Sequence, residues 1–365
     1  MAIFFIIYAI ILFLLLVINK VPSLEKYLIW GIGVFLIVFA GCRGVGTDND
    51  MLAYMDLFDK PTTLSYFSQS HDEFIATFLP VLLKYYGIYS YFNIFFIFAV
   101  LSITPKLYMI NKYSAFPMVT LLIYYCHFFL LQDMTQVRAA CAISILFLSV
   151  SDIADRKLFT FLLKVCVACI FHYSSLLFLI FYFFNDKNLN AKVYSFLLFA
   201  SLLLALSRIN VIGMIPGLSA ISGKLATYAD DQTVTVNPLS VQGLVNLSII
   251  LYQMKHIDCI KGRKYAIVLL KLYALSLILF WACASIAVLS FRISELIGIS
   301  AIFCIPNLYF IIKSKFKCTL IIIAICTVFL SLDLFRQHIL HGYFLNSSLG
   351  LDNEIPACFN CNGNL

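Results

Sequence analysis

Long apolar runs without a charged residue recur along the chain, and only short polar stretches separate them. A helix that crosses the hydrocarbon core of a bilayer needs about 20 residues, and several runs approach that length. The charge-free runs cover residues 1–19, 27–42, 85–105, 113–132, 272–290, 296–312 and 318–332. The pattern predicts an all-α, polytopic transmembrane protein with about ten to twelve spans and with re-entrant or short helices at its outer face.

The composition excludes a water-soluble fold. Apolar residues occupy 62% of the 365 positions and charged residues 12%, against about 25% charged residues in a soluble domain. The first apolar run has no basic region ahead of it and no small-residue cleavage site after it, so we expect it to remain as a span. The net charge of +7 lies mostly in short loops, where Lys and Arg fix orientation. No nucleic-acid partner is expected.

The basic residues fall into clusters between the apolar runs. Because Lys and Arg favour the cytoplasmic side of a membrane, we assign these clusters to that side: Lys20 and Lys26, Lys106 and Lys112, Arg156 and Lys157, residues 255–264, and residues 313–317. The assignment is consistent only under two conditions. Residues 74–88 must dip into the membrane without crossing it, and residues 158–184 must form a tight hairpin that turns near His172.

The predicted organisation is one transmembrane domain over residues 1–338 followed by a short tail over residues 339–365. The two longest polar segments, residues 42–73 and 209–240, are then outer loops, and neither is long enough for a separate soluble domain. Gly213 and Pro216 favour a mobile or re-entrant segment within the second loop. The tail contains Cys358 and Cys361, whose C-x-x-C spacing is weak evidence for a disulfide or a metal site.

The first outer loop begins with a stretch that could bind an anion. Gly44 and Gly46 would let the backbone approach a ligand, and Arg43 offers a planar fork to phosphate or carboxylate. A simpler interpretation is a turn at the end of a span, in which Thr47 or Asp48 caps the following helix. Asp48 and Asp50 together could also hold a divalent cation, although two carboxylates at this spacing are a weak metal signal.

Three further candidates lie near the starts of predicted helices. Glu73 precedes the dipping segment, and Gln136 and Arg138 precede a helix rich in small residues. An Arg ahead of thirteen uncharged residues is costly in a membrane, at about 3 kcal/mol at the bilayer centre, unless it faces a cavity or an anion. The alternative is an Arg that extends its side chain to the membrane surface.

The last candidates are His172, Arg292 and Glu295. The imidazole of His172 is flanked by hydrophobic residues and could accept a proton, because its ordinary pKa of about 6.5 suits acid–base chemistry. A His that bonds only a helix carbonyl is the alternative. Arg292 and Glu295 are three residues apart between two apolar runs, so they can pair on one helix face.

The distribution of these residues favours an anion-binding site. Arg43, Arg138, His172 and Arg292 all fall on the outer side of the map that the lysine clusters define. Arginine binds phosphate groups through two parallel hydrogen bonds. We therefore expect these residues to bind an anion such as a diphosphate at the outer face.

The same residues resemble a known family, the EpsG-like group of Wzy polymerases that elongate O-antigen or exopolysaccharide. The resemblance covers most of the chain and rests on the order and spacing of short motifs. These motifs are Arg43-x-x-Gly46-Thr47-Asp48 followed by Tyr54 and Phe58, then Glu73, Arg138 with the alanines after it, Phe171-His172-x-Ser174, and Arg292-Ile293-Ser294. The chain departs from the family pattern at Ala139, where Gln commonly stands; here Gln136 lies two residues before Arg138.

The resemblance implies glycosyl transfer at the outer (periplasmic) face of the bacterial inner membrane. A growing glycan on undecaprenyl diphosphate would move onto a new lipid-linked repeat unit. Arg43, Arg138 and Arg292 would bind the diphosphate, and His172, Asp48 or Glu73 would position the acceptor or act as general base. Gly46, Thr47, Gln136 and Glu295 would support them. No metal or other cofactor is expected; the lipid bilayer and a chain-length regulator protein are the further expected partners.

Three other functions remain open from the sequence. An O-antigen ligase would use the same lipid-linked donor and the same arginines. A lipid-linked oligosaccharide flippase or other transporter would carry charges along a pathway at mid-membrane and show an internal repeat, and the sequence shows no repeat. A structural membrane subunit would pair Arg138 and Arg292 with acidic groups of another chain.

Overall fold

The computed structural model describes residues 1–18, 21–44, 47, 51–59, 73–90, 92–209, 236–336 and 340, and the structural statements below concern these residues. They are predominantly helical and contain no β-strand, so the predicted all-α fold is confirmed. Several predicted features lie outside the described residues. These are Gly46, Asp48 and Asp50, residues 210–235 of the second outer loop with Gly213 and Pro216, and the tail with Cys358 and Cys361.

The first half of the chain is a series of helices that includes an unusual π-helical segment. Its α-helices are α1 (Ala2–Ile18), α2 (Glu25–Gly41), α3 (Met51–Asp59), α4 (Phe74–Tyr85), α5 (Phe92–Tyr113), α6 (Pro117–Ile123), α7 (Val137–Leu148), α8 (Val150–Asp155) and α9 (Leu158–Phe171). The π-helix π1 (Tyr124–Asp133) continues α6 directly, and a 3₁₀ helix (Tyr173–Phe183) follows α9.

The second half repeats this mixture of long and short helices. Its α-helices are α10 (Ala191–Ser207), α11 (Val241–Lys255), α12 (Ala266–Ala282), α13 (Ala287–Gly298), α14 (Ala301–Cys304), α15 (Leu308–Ile311) and α16 (Lys315–Ser331). A second π-helix, π2 (Leu332–Arg336), extends α16. Short 3₁₀ helices occupy Pro22–Leu24, Ile257–Cys259 and Ile305–Asn307.

Several helical segments are long and apolar enough to cross a bilayer. By length and composition these are Pro22–Gly41, Phe92–Tyr113, Val137–Asp155 and Lys315–Phe335 within the described chain. A fifth results if α13 and the helical residues Ala301–Ile311, which meet at a 43° bend, count as one span. Shorter apolar helices of 10–17 residues accompany them. The protein is therefore a polytopic membrane protein, and the total of ten to twelve spans stays a prediction.

Two lysines that interrupt the apolar pattern lie inside helices. Lys106 is fully buried in α5, and its Nζ donates to both carboxylate oxygens of Asp133 in π1, at 2.8 and 2.9 Å. Tyr124 donates to the same carboxylate at 2.5 Å. The assignment of Lys106 to a cytoplasmic loop is therefore wrong, because this charge is neutralised within the bundle. Lys271 is likewise buried in α12 and donates to the carbonyl oxygen of Asn185 at 2.7 Å.

The predicted hairpin over residues 158–184 is confirmed. Helix α9 ends at Phe171, and the 3₁₀ helix runs back from Tyr173, so the chain reverses at His172. Near the open end of the hairpin, Arg156 Nη1 donates to the carbonyl oxygen of Tyr182 at 2.6 Å, and the Tyr182 hydroxyl donates to the carbonyl oxygen of Arg156 at 3.0 Å. The reversal places His172 at the tip.

Helices α2 and α5 pack closely in antiparallel directions. A Cβ atom added to Gly33 would lie 2.1 Å from Leu107, and one added to Gly41 would lie 2.6 Å from Phe96. The end of α2 therefore meets the start of α5. Helix α7 runs parallel to α5, since Cys141 Sγ approaches the carbonyl oxygen of Phe98 at 3.4 Å and Ser144 Oγ donates to that of Ser102 at 2.7 Å.

The opposite end of the bundle carries basic residues and their aromatic partners. Tyr113 at the end of α5 stacks edge-on with Tyr265, at 5.2 Å between ring centroids, and Lys264 lies over both rings. Arg263 lies 3.9 Å above the ring of Phe310. The bundle thus has a basic end, defined here by Lys112, Arg263 and Lys264, and a site end, where α2 stops and α5 begins.

Candidate active site

One carboxylate joins three elements that are distant in the sequence. Glu73 Oε2 accepts a hydrogen bond of 2.6 Å from Arg138 Nη1, and Glu73 Oε1 makes a short hydrogen bond with His172 Nδ1. All three side chains are partly exposed, with 12% of the Glu73 side chain, 34% of Arg138 and 18% of His172 accessible. The structure therefore brings together three of the residues that the sequence predicted, and leaves them accessible to a ligand.

Each member of this cluster lies at a helix end. Glu73 is the extended residue that precedes α4, where the partial positive charge of the helix N-terminus favours a carboxylate. Arg138 is the second residue of α7. His172 lies between α9 and the 3₁₀ helix in an extended conformation. Polar side chains at helix ends can project from otherwise apolar elements.

Aromatic side chains support the guanidinium of Arg138. Its Nε donates to the hydroxyl of Tyr54 at 2.9 Å, and its Cζ lies 5.3 Å from the centre of the Tyr54 ring. The Tyr54 ring packs edge-on against Phe95 at 5.5 Å. In α3 the buried residues Met51, Tyr54 and Phe58 share one face, because they lie three and four residues apart along the helix. This packing fixes the direction from which Tyr54 meets Arg138.

Arg43 lies beneath this aromatic layer. Its side chain is fully buried, Nη1 donates to the carbonyl oxygen of Ala40 at 2.7 Å, and its Cζ lies 4.4 Å from the centre of the Phe95 ring. Phe95 therefore separates Arg43 from Tyr54. Thr47, the other described residue of this stretch among the candidates, is also fully buried. In this conformation neither side chain is exposed to a soluble or membrane-surface ligand.

The charges around Glu73 keep it ionised. Burial alone would raise the pKa of Glu73, but the hydrogen bond with His172 and the positive charges of Arg138, His172 and Arg292 outweigh burial and lower it below its ordinary value of 4.5. A carboxylate that stays charged holds the guanidinium of Arg138 more firmly than a neutral acid would. The contribution of Arg292 also shows that this residue of α13 lies near the cluster.

Glu295 connects Arg292 to a second group of polar side chains. The Glu295 carboxylate interacts with the side-chain amide of Gln136 and with the charge of Arg292. Gln132 Nε2 approaches the carbonyl oxygen of Glu295 at 3.5 Å. The predicted neighbourhood of Arg292 and Glu295 on one helix is thus present, and Gln136 joins them to the start of α7.

Sequence reasoning missed several polar residues near the site. His127 lies inside the apolar run 113–132, and Asp333 follows the run 318–332, yet their side chains are 2.5 Å apart and buried. A polar residue within an apolar run was the available signal. No group of three or more His, Cys, Asp or Glu side chains suited to a metal ion occurs among the described residues; the expected absence of a metal stays a prediction.

The charges of the cluster suit an anionic leaving group. Arg138 and Arg292 are two permanent cations: Arg138 pairs with Glu73, and Arg292 lies near the carboxyl groups of Glu73 and Glu295. Guanidinium groups that are already positioned stabilise negative charge as it develops in a transition state. The His172 imidazole adds a group that can donate or accept a proton. The arrangement can therefore bind a phosphate-containing group and assist its departure.

Comparison with known proteins identifies one family. The model of the family described as EpsG matches residues 26–346, which include every candidate residue of the site. No curated protein matches the chain, and no solved structure matches it.

Proposed function

The chain belongs to the EpsG family, and on this premise we propose that it elongates a surface polysaccharide, such as O-antigen, from lipid-linked repeat units. Membership in the family indicates a polysaccharide polymerase-like function in a membrane. Our proposal adds the finer chemistry: the enzyme is a metal-independent glycosyltransferase that transfers the growing glycan from undecaprenyl diphosphate onto a new lipid-linked unit. The reaction takes place at the outer face of the bacterial inner membrane.

The observation that carries the proposal is the Glu73–Arg138–His172 cluster with Arg292 beside it. In the transfer, a hydroxyl oxygen of the acceptor sugar forms a bond to the anomeric carbon of the donor glycan, and the bond from that carbon to the diphosphate breaks. Undecaprenyl diphosphate leaves with the bonding electrons. Negative charge therefore grows on the diphosphate, where Arg138 and Arg292 would stabilise it by a few kcal/mol per good donor.

The geometry supports different roles for Glu73, Arg138, Arg292 and Arg43 in this proposal. Glu73 holds Arg138 and His172 in place, because each of its carboxylate oxygens already has a partner. Arg138 and Arg292 bind the diphosphate. Arg43 was predicted to bind it too, but its burial against Phe95 supports a role in holding Tyr54 and, through it, Arg138.

The position of the charged residues favours this function over a flippase. A flippase is expected to line a pathway through the membrane with polar groups. The pair of Lys106 and Asp133, which lies within the bundle, is fully buried and mutually hydrogen-bonded. The partly exposed cluster instead lies where α2 ends and α5 begins.

Deletion of the gene in its bacterial host tests the function. The surface lipopolysaccharide or exopolysaccharide is then separated on a gel. A polymerase predicts that the long-chain ladder disappears while the lipid A core with a single repeat unit remains. Loss of all glycan, including that single unit, would instead favour a ligase or a flippase.

Complementation with variants tests the site. Arg138→Ala should abolish the ladder at wild-type protein level, because the guanidinium contacts both Glu73 and Tyr54. Arg263→Ala at the basic end is the matched control and should restore the full ladder. A full ladder with Arg138→Ala would remove this residue from the site.

A further inference from the structure

A second pair of imidazole and carboxylate lies beside the cluster. His127 Nδ1 and Asp333 Oδ2 are 2.5 Å apart, and both side chains are almost wholly buried. Glu295, which interacts with Arg292 and Gln136, also interacts electrostatically with His127 and Asp333. The pair is therefore a neighbour of the α13 turn that carries Arg292 and Glu295.

The surroundings of His127 define which nitrogen can accept a proton. Gln242 Nε2 lies 2.9 Å from His127 Nε2, and an amide nitrogen can only donate. The Nδ1 atom then carries the hydrogen and donates it to Asp333, and the lone pair on Nε2 points toward Gln242. A donor group already occupies the position from which a hydroxyl would approach.

Both members of the pair lie on π-helical segments. His127 belongs to π1, and Asp333 belongs to π2. π-Helical turns are rare and are frequent at functional sites, because they displace side chains from the regular helical register. Here they turn one titratable side chain from each element toward the other.

Two buried oxygens near the pair have no hydrogen-bond partner within the part of the chain that the structure describes. They are Asp333 Oδ1 and Gln132 Oε1, and both side chains are fully buried. A buried acceptor without a donor destabilises a structure, because it has lost its hydrogen bonds to water. A sugar presents several hydroxyl donors at once, so an acceptor glycan could satisfy both oxygens.

The site thus divides into two halves of opposite character. The half around Glu73 contains Arg138 and Arg292, which suits a departing diphosphate. The half around His127 contains the carboxyl groups of Asp333 and Glu295, which suits removal of a proton from a neutral hydroxyl. Arg292 and Glu295, one turn apart on α13, lie where the halves meet.

We infer that His127 is the general base for the acceptor hydroxyl, that Asp333 positions it, and that the buried oxygens beside them bind the acceptor sugar. The inference rests on the proposed function. In the step, the acceptor hydroxyl displaces the Gln242 amide from His127 Nε2 and gives its proton to that nitrogen as its oxygen bonds to the donor's anomeric carbon. The electrons of the broken bond leave with the diphosphate.

Turnover of the full-length protein in proteoliposomes tests the inference. The probe is the lipid-linked repeat unit extracted from the deletion strain. His127→Gly should lower kcat by about 10²–10⁴-fold, the usual range for loss of a general base, with little change in KM. Added imidazole should restore part of the lost kcat. Asp333→Asn should lower kcat without changing the amount of folded protein.

His256→Gly is the matched control, because His256 directly follows α11 near the basic end and packs edge-on against Tyr252. It should keep wild-type kcat, and imidazole should not change it. If His127→Gly is not recovered folded, His127→Asn replaces it, since it keeps a polar group near the ring position.

Wild-type kcat in the His127 variant would overturn the inference. Wild-type kcat in Asp333→Asn, together with failure of imidazole to rescue His127→Gly, would also overturn it. Failure of the wild-type protein to lengthen this probe would contradict the proposed function instead. The two failures are therefore distinguishable.

Discussion

Glu73 is the residue that links the site, since one carboxylate satisfies two cationic or proton-carrying partners at once. Without it, Arg138 would lose an ion pair while its contact with Tyr54 remains, and His172 would lose the carboxylate that fixes its ring. In the proposed reaction this carboxylate would act mainly by preorganisation: the guanidinium group would already be aimed before substrate arrives, so its reorientation would not add to the barrier.

Glu73→Gln should lower the stability of the folded protein by an amount that depends on pH. The pKa of Glu73 in the folded protein lies below its ordinary value. The charge of Glu73 therefore stabilises the fold at pH values above the ordinary pKa. This contribution is lost as the pH falls through the lowered pKa. The free energy of unfolding of the wild-type protein should therefore exceed that of the variant by about 1 kcal/mol from neutral pH down to about pH 4.5. The melting temperatures should converge at lower pH.

Thermal unfolding of both proteins in detergent, followed at a series of pH values, measures this difference. Asp258→Asn is the control, because Asp258 is highly exposed and pairs with exposed Lys261; water screens such pairs. Its melting temperature should match that of wild type. A Glu73→Gln difference that vanished already above pH 5 would show that Glu73 is not held in its charged form.

The sequence identified Glu73, Arg138, His172 and Arg292 because they are polar residues that adjoin long apolar stretches. It did not show that the first three share one carboxylate, since that depends on which helix ends meet. His127 was missed because it lies inside the charge-free run 113–132 and, unlike His172, belongs to none of the family motifs. Only its distance from Asp333, 206 residues further along the chain, reveals the pair.

At the scale of helices, the apolar runs predicted which segments are helical but misplaced several boundaries. The helix that contains the end of the run 85–105 continues to Tyr113, because Lys106 is neutralised by Asp133 inside the bundle. The run 272–290 divides between α12 and α13. Runs end at charges, whereas helices end where backbone groups find other partners. A charge that finds a buried partner therefore misleads this kind of prediction.

Gly41 is predicted to control the distance between α2 and α5. A Cβ atom there would lie 2.9 Å from Phe96 Cα, a backbone atom that cannot move alone. Gly41→Ala should therefore separate the helices, destabilise the protein by about 1–3 kcal/mol, and reduce polymer formation. The activity loss is expected because Phe95, next to Phe96, lies between Arg43 and Tyr54.

Gly31→Ala in the same helix is the control, since a Cβ atom at Gly31 meets nothing within 4 Å. Alanine is the better helix former by up to about 1 kcal/mol, so this variant should unfold at or above the wild-type temperature and form a full ladder. Equal effects of the two substitutions would show that helix packing at Gly41 does not determine the site.

At the scale of the whole molecule, the cluster and the basic end lie at opposite ends of the same helices. Helix α5 leads from Phe95, which packs on Tyr54 of the site, to Tyr113, which packs on Tyr265 of the basic end. The grouping of lysine-rich loops at one end was predictable, because charge bias in short loops follows membrane orientation. The side of the membrane that each end faces stays a prediction.

Labelling with a membrane-impermeant thiol reagent in intact spheroplasts tests that orientation. Tyr89 lies just before α5 at the site end and is 75% exposed, whereas Cys259 is an exposed native cysteine close to the basic end. Because lysine-rich loops favour the cytoplasm, Tyr89→Cys should react in intact cells and Cys259 only after the membrane is opened, as read from the labelled peptides by mass spectrometry. The reverse pattern would place the cluster in the cytoplasm, where a glycan already carried across the membrane could not reach Arg138 and His172.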